Sequence, residues 1–185
     1  MPNILRLAPE DARDNLSWDA YVMAAPKATF FHRAGWQRVL RNVFRHDTHF
    51  LKAERGGRIV GVLPLADVRS MLFGNALTSL PFAVYGGVVA DDEEAAAALE
   101  AEAQRLARQL GVQHLEMRNV EPRHADWPKQ DLYVTFRKEI LPEEEANMLA
   151  IPRKQRAMVR KGIKNGLVSS IDDGVDRFFT LYADN

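Results

Sequence analysis

Two strand-like runs, residues 48–55 and 58–65, are separated only by Gly56-Gly57. A two-residue connection with glycine at both central positions tolerates the positive φ of a tight turn, so this stretch is committed to an antiparallel hairpin. Along the second strand Val60 and Val62 are expected on one face, with Ile59, Gly61 and Leu63 on the other. Pro64 has no N–H to give to a ladder. It marks a sheet edge, a bulge or the strand's end, with continuation toward Arg69 left open.

The hairpin is embedded in alternating helix and strand signals. Ile4–Leu7 reads as a short strand. Residues 11–24 read as a helix with Leu16 and Tyr21 on its apolar face, ended by Pro26. The aromatic-rich run Thr29–Trp36 opens a further helix, in which Trp36, Val39, Leu40, Val43 and Phe44 recur at helical spacing and are expected in the core. Asp91, Asp92, Glu93 and Glu94 start another helix, where acids suit the positive end of the dipole. Its stripe is Leu99, Ala103, Leu106 and Leu110, and Gly111 closes it. A strand follows over 112–119, then a loop with Pro122, His124, Trp127 and Pro128. Residues 131–140 alternate as a strand does, 141–150 form an acidic helix, 167–171 a strand and 175–182 a helix. Helix running directly into strand points to an α/β (α+β) layered fold with a mixed, mostly antiparallel twisted sheet flanked by helices.

At 185 residues, with 46% hydrophobic and 27% charged, the chain is sized for one domain with a small appendage. The absence of cysteine excludes disulfides, thiolate nucleophiles and cysteine-ligated metals. Residues 71–90 carry no charge, but Gly74, Asn75, Pro81, Gly86 and Gly87 suit strands and a turn better than a membrane helix. The N-terminus lacks a secretory pattern, and the expected setting is cytoplasmic. Phosphate-loop, dinucleotide, zinc-protease and Gly-x-Ser-x-Gly motifs are missing. His46 and His49 flank Asp47, but one such spacing does not make a metal site, so none is expected. No nucleophile–base–orienter set can be assembled, and the catalytic residues are unknown at this level.

The most unusual stretch is Ile151–Gly166, with Arg153, Lys154, Arg156, Arg160, Lys161, Lys164 and no acid. Without these six, a chain of 25 basic and 25 acidic residues becomes 19 against 25. Pro152 suits a first helical position and Gly166 a left-handed stop. Arg153, Arg156, Arg160 and Lys164 share one face, flanked by Lys154 and Lys161. Cations in the last turn are favourable, but Arg153 and Lys154 in the first turn oppose the dipole at about 0.3–1 kcal/mol each. Two explanations stay open: a solvated face resting on Glu143–Glu145, or an anion-binding helix. If the helix binds an anion, Arg156→Ala and Arg160→Ala weaken binding and spare stability.

Three segments together resemble the FemAB-like N-acyltransferases. They are Ala28-Thr-Phe-Phe-His-Arg-Ala-Gly-Trp36, then Glu54–Leu65 with Leu72–Gly87, and the basic helix itself. The similarity is greatest to the branch associated with PEP-CTERM/exosortase systems. The resemblance implies a GNAT-type fold, with residues 1–150 a first GNAT-like domain and 151–185 the basic helix and start of a second, truncated one. It implies transfer of an acyl or aminoacyl group to an amine of a cell-envelope (peptidoglycan or exopolysaccharide-related) precursor. The donor would be acyl-CoA or aminoacyl-tRNA, and the chain would supply the acceptor-binding half. In binding roles it places Trp36, Arg156 and Arg160, supported by Arg153 and Lys164, facing a phosphorylated or lipid-linked precursor. The Gln/Arg-x-x-Gly-x-Gly/Ala loop that holds the CoA pyrophosphate in many GNAT enzymes is absent. The alternatives are a non-catalytic module binding RNA or an anionic glycan, and an assembly subunit that dimerises.

Overall fold

The computed structural model describes residues 1–72, 74–130 and 134–184. The chain divides into two compact units, Met1–Trp127 and Pro128–Asn185. The first contains β1 (Asn3–Arg6), α1 (Ala12–Ala24), a 3₁₀ turn (Phe30–His32), α2 (Gly35–Asn42), β2 (Asp47–Thr48), β3 (Leu51–Arg55), β4 (Arg58–Leu63), β5 (Ala66–Ser70), β6 (Gly74–Thr78), β7 (Val89–Ala90), α3 (Glu93–Leu110) and β8 (His114–Glu116). The strands form two four-stranded ladders, β1-β3-β4-β7 and β2-β5-β6-β8. All pairs are antiparallel except β6 and β8, which run parallel.

The central hairpin belongs to both ladders. Its register keeps one offset from Asp47↔Asp67 and Thr48↔Ala66 to Leu51↔Leu63 and Ala53↔Gly61. The His49 N–H donates to the Leu65 carbonyl at 2.8 Å, carrying the pairing across the gap between ladders. The interruption falls at Phe50 and Pro64, where proline has no hydrogen to contribute. So Pro64 ends one strand, and the same chain direction resumes as β5 in the other ladder. Nearer the turn, Ala53 pairs with Gly61 but Glu54 pairs with Ile59, leaving Val60 as an extra, bulged residue. The bulge overturns the expected faces: Val62 and Ile59 pack with one core cluster, Val60 and Leu63 with the other.

Those two clusters lie on opposite sides of the hairpin. One gathers Leu7, Trp18, Val22, Leu40, Phe50, Val62 and Leu80, fed by α1 and α2. The other places Leu99, Ala103 and Leu106 of α3 on Leu51, Leu63, Leu65 and Leu77. Asp11 caps α1 by accepting from the amides of Arg13 and Asp14, as Asp92 caps α3 by accepting from Ala95. Gly111, at φ +64°, ends α3 as expected. Lys52 is pinned between Asp14 and Glu54, linking α1 to β3.

Two core expectations fail. Leu16 is 72% exposed, and the buried residues of α1 are Trp18 and Val22. In α2 only Leu40 and Gln37 are buried, Trp36 is half-buried, and Val39, Val43 and Phe44 are exposed. Leu40 and Trp36 of the expected stripe do pack in the core, but Val39 faces out, and the helix ends at Asn42, before Val43 and Phe44 can continue the stripe.

The second unit holds α4 (Glu144–Ala150), α5 (Arg153–Lys164) and α6 (Asp176–Ala183), none with a buried residue. Of the strand expected at 131–140, residues 131–133 lie outside the described residues and 134–140 form no ladder. Residues 167–171 form none either. Alternation supplies a face, but a strand exists only where a neighbour accepts its backbone hydrogen bonds. Among the described residues no helix is long and apolar enough to cross a membrane.

Candidate functional site

The basic helix forms over Arg153–Lys164, with Pro152 at its N-cap, one position earlier than expected, and Gly166 at φ +70° beyond its end. Its first turn has no acid and no side-chain cap. Arg156 differs from its neighbours. Its guanidinium donates to the carbonyls of Leu149 at 2.8 Å and Ile151 at 2.9 Å, at the C-terminus of α4. Those carbonyls have no partner within α4, so a guanidinium there satisfies them and suits the dipole. Arg153, Lys154, Arg160, Lys161 and Lys164 are exposed and, among the described residues, carry neither a hydrogen bond nor an ion pair. Glu143, Glu144 and Glu145 do not pair with them there. The stripe is thus one anchored arginine and five unneutralised cations.

Trp36 lies in the first unit and the basic residues in the second, so the expected binding set falls into two parts. The Trp36 ring tilts against Phe31 at 5.5 Å and meets Phe30 edge-on at 6.2 Å. Among the described residues its buried Nε1 has no hydrogen-bond partner. The segment before it is tightly fixed. Thr29 N–H donates to His32 Nδ1, which leaves the proton on Nε2 to be donated to the Gly87 carbonyl at 3.0 Å. Trp18 Nε1 donates to the His32 carbonyl at 2.7 Å. Burial pushes the His32 pKa below the ordinary histidine value, and its hydrogen bonds oppose this only in part.

The run between β6 and β7 reaches Gly87 from the carboxyl ends of the parallel pair. Ser79 N–H donates to the Glu116 carbonyl at 2.8 Å, and the Arg118 N–H returns to Ser79 Oγ at 2.6 Å. The amides of Gly86 and Gly87 both donate to the Arg118 carbonyl. A Cβ on Gly86 would strike Leu80 and Ser79, and one on Gly87 would strike Asn119, so both glycines are required by close approach.

The N-terminus of α3 is electrostatically filled. Asp92 caps it, while Arg55 bridges Asp92 at 2.7 Å and Glu94 at 2.6 Å. Arg123 joins Glu93 and the buried Glu100, both at 2.6 Å, and is held charged beyond its usual range mainly by Glu100. His124 stacks on Trp127 at 4.3 Å, with Nε2 3.2 Å from Glu100. Sequence reading missed this clamp because Glu100 lies mid-helix with no local sign of a partner 23 residues away. Its one signal was an acid on the apolar side of the α3 stripe. Among the described residues, no group of three or more metal-ligating side chains comes together.

No family model matches the sequence. No curated protein matches it either. Three solved structures are similar to parts of the chain. FemX shares 18% identity at a TM-score of 0.43, over 58% of this chain and 24% of its own. A ribosomal-protein-alanine N-acetyltransferase from Brucella melitensis biovar Abortus 2308 shares 16% at 0.45, over 73% and 100%. A GNAT family acetyltransferase from Staphylococcus aureus subsp. aureus USA300_TCH1516 shares 10% at 0.45, over 76% and 98%. The chain spans about a quarter of FemX. Likenesses at this level decide nothing about chemistry.

Proposed function

We propose that this chain is the acceptor-binding part of an N-acyltransferase of the GNAT or Fem type, acting on an amine of a phosphorylated or lipid-linked cell-envelope precursor. The observation that carries the reading is the parallel pair β6/β8 inside an otherwise antiparallel sheet, joined through α3, with the rigid 79–87 loop beyond its carboxyl ends. Ligands of open α/β sheets collect at such ends. Acyl transfer to an amine relies on holding two reactants in register, which needs a rigid frame more than a dedicated nucleophile.

In this reading Arg153, Arg160 and Lys164 hold the precursor's phosphates, and Arg156 places that helix through α4 while presenting its remaining positive charge. Trp36 is assigned a binding role of its own in the first unit. The donor is acyl-CoA or aminoacyl-tRNA, bound outside α3: a pyrophosphate at that helix would face Asp91, Asp92, Glu93 and Glu94, with Asp92 already on the amide of Ala95.

The test is calorimetric titration of the chain with inorganic pyrophosphate and with acetyl-CoA, at two salt concentrations. Pyrophosphate is expected to bind, to weaken as salt rises, and to lose most of its affinity in the Arg160→Ala/Lys164→Ala variant. Saturable acetyl-CoA binding that this variant leaves intact, with no response to pyrophosphate, would overturn the acceptor-half reading.

A further inference from the structure

Phe44, His46 and Phe82 make an exposed aromatic surface with no role so far. Phe44 stacks on Phe82 with centroids 4.1 Å apart and planes 20° apart. His46 is nearly parallel to Phe82, at 9°, but 5.9 Å away, a separation that puts it beside the phenyl ring rather than over it. Phe82 is therefore backed by one ring and widened by another, and it stays 57% exposed.

The backbone is bent to achieve this. Among the described residues three non-glycines have positive φ: Arg45 at 59°, Leu80 at 56° and Phe82 at 65°. One separates Phe44 from His46, one belongs to Phe82 itself, and Leu80 is two residues before it. Leu80 is fully buried, so the strained turn sends one large apolar side chain inward and the next outward. Strain that leaves a phenyl ring in water is not explained by folding, and such outliers point to a binding role.

The charge around the rings selects the ligand. Between residues 38 and 47 the chain carries Arg38, Arg41 and Arg45 against one acid, Asp47, which follows His46. Arg41 is engaged with Glu10, whereas Arg38 and Arg45 have neither a hydrogen bond nor an ion pair among the described residues. An exposed ring surface with an arginine, Arg45, between Phe44 and His46 in sequence matches a planar heterocycle that carries phosphate.

We infer that Phe82, backed by Phe44 and flanked by His46, is a stacking site for the base of a nucleotide whose phosphate is met by Arg45. The inference rests on the acyl-transfer reading for which nucleotide binds, but it is tested by binding, so an inactive chain would leave it standing. The base could belong to a nucleoside-diphosphate-linked acceptor or to the adenine nucleotide of a donor; the chemistry is the same.

The experiment titrates the full chain with UDP, ADP, adenosine and ribose 5-phosphate, by calorimetry and by saturation-transfer NMR on the ligand. UDP or ADP is expected to bind, with saturation strongest on the base protons, while ribose 5-phosphate binds at least tenfold more weakly. Tighter binding of UDP would assign the site to an acceptor, tighter binding of ADP to a donor. Phe82→Ala and Phe44→Ala should each weaken the nucleotide about tenfold or more. Phe82→Leu, which keeps apolar bulk without the flat ring, should do the same at unchanged melting temperature. Arg45→Ala should weaken nucleotide but not adenosine. Failure of both nucleotides to bind at millimolar concentration, or equal affinity in wild type and Phe82→Leu, would overturn the site.

Discussion

Helices α3 and α5 are alike in outline and opposite in substance. Each ends near a left-handed glycine, Gly111 or Gly166. The first turn of α3 holds two acids over an Asp92 cap, in agreement with the dipole, and the helix buries Ala95, Ala96, Leu99, Glu100, Ala103, Leu106 and Ala107. The first turn of α5 holds Arg153 and Lys154, against the dipole and without a cap, and the helix buries nothing. Sequence, packing and local electrostatics agree in α3, as they do where folding alone sets the residues. In α5 they disagree, and local helix stability does not account for the surplus positive charge of its first turn.

The contrast can be broken most sharply at the buried charges of α3. Arg123→Ala strands Glu100, which is 3% exposed, and should cost about 3–5 kcal/mol in urea unfolding. Arg123→Ala/Glu100→Gln should recover much of that; if it recovers none, the clamp matters by packing instead of charge. Leu99→Ala should cost about 2–5 kcal/mol through transfer and cavity terms. The matching change on α5, Ile163→Ala, should stay within about 0.5 kcal/mol, since that side chain is 62% exposed. Equal losses at the two positions would erase the distinction.

Acid should act on the first unit before the carboxylates titrate. Burial lowers the folded-state pKa of both His32 and His49, so each is neutral in the fold and protonates more readily once unfolded. Their contribution is complete above the ordinary histidine value of about 6.5 and is lost as pH falls through the folded values. The melting temperature should be flat from about pH 7 to 8 and decline below about 6.5. His32→Gln should flatten part of that decline. A wild-type melting temperature that rises on acidification would contradict the burial argument.

The smallest effects separate two arginines of one helix. Arg156→Ala removes hydrogen bonds to two α4 carbonyls and should lower stability by roughly 1 kcal/mol, with a loss of far-UV helicity. This revises the expectation that both substitutions spare stability. Arg160→Ala should change stability by less than about 0.5 kcal/mol. Its effect should show only in pyrophosphate affinity, and no change there would leave α5 a solvated face.

Local rules made several elements legible. Gly56-Gly57 required a tight turn, and the two strands flank it. Asp92 and Gly111 bracket α3, and the basic helix forms between Pro152 and Gly166, because caps, dipole and turn chemistry act over a few neighbouring residues. The candidate site was readable only as composition: six cations in one stretch, and aromatics near Trp36.

What the sequence by itself determined is this set of elements with short-range causes, together with the charge imbalance of α5. Tertiary structure decided the rest. It decided how much of the α2 stripe is buried, inserted Val60 as a bulge that moves Val60 and Ile59 to the faces opposite those expected, and left 134–140 without a ladder. It alone brought Arg123 to Glu100, Arg156 to the end of α4, and Phe82 beside Phe44 and His46. The reason is physical: periodicity specifies a pattern along one element, whereas burial, pairing and ring contact depend on what the chain brings opposite it from far away in sequence.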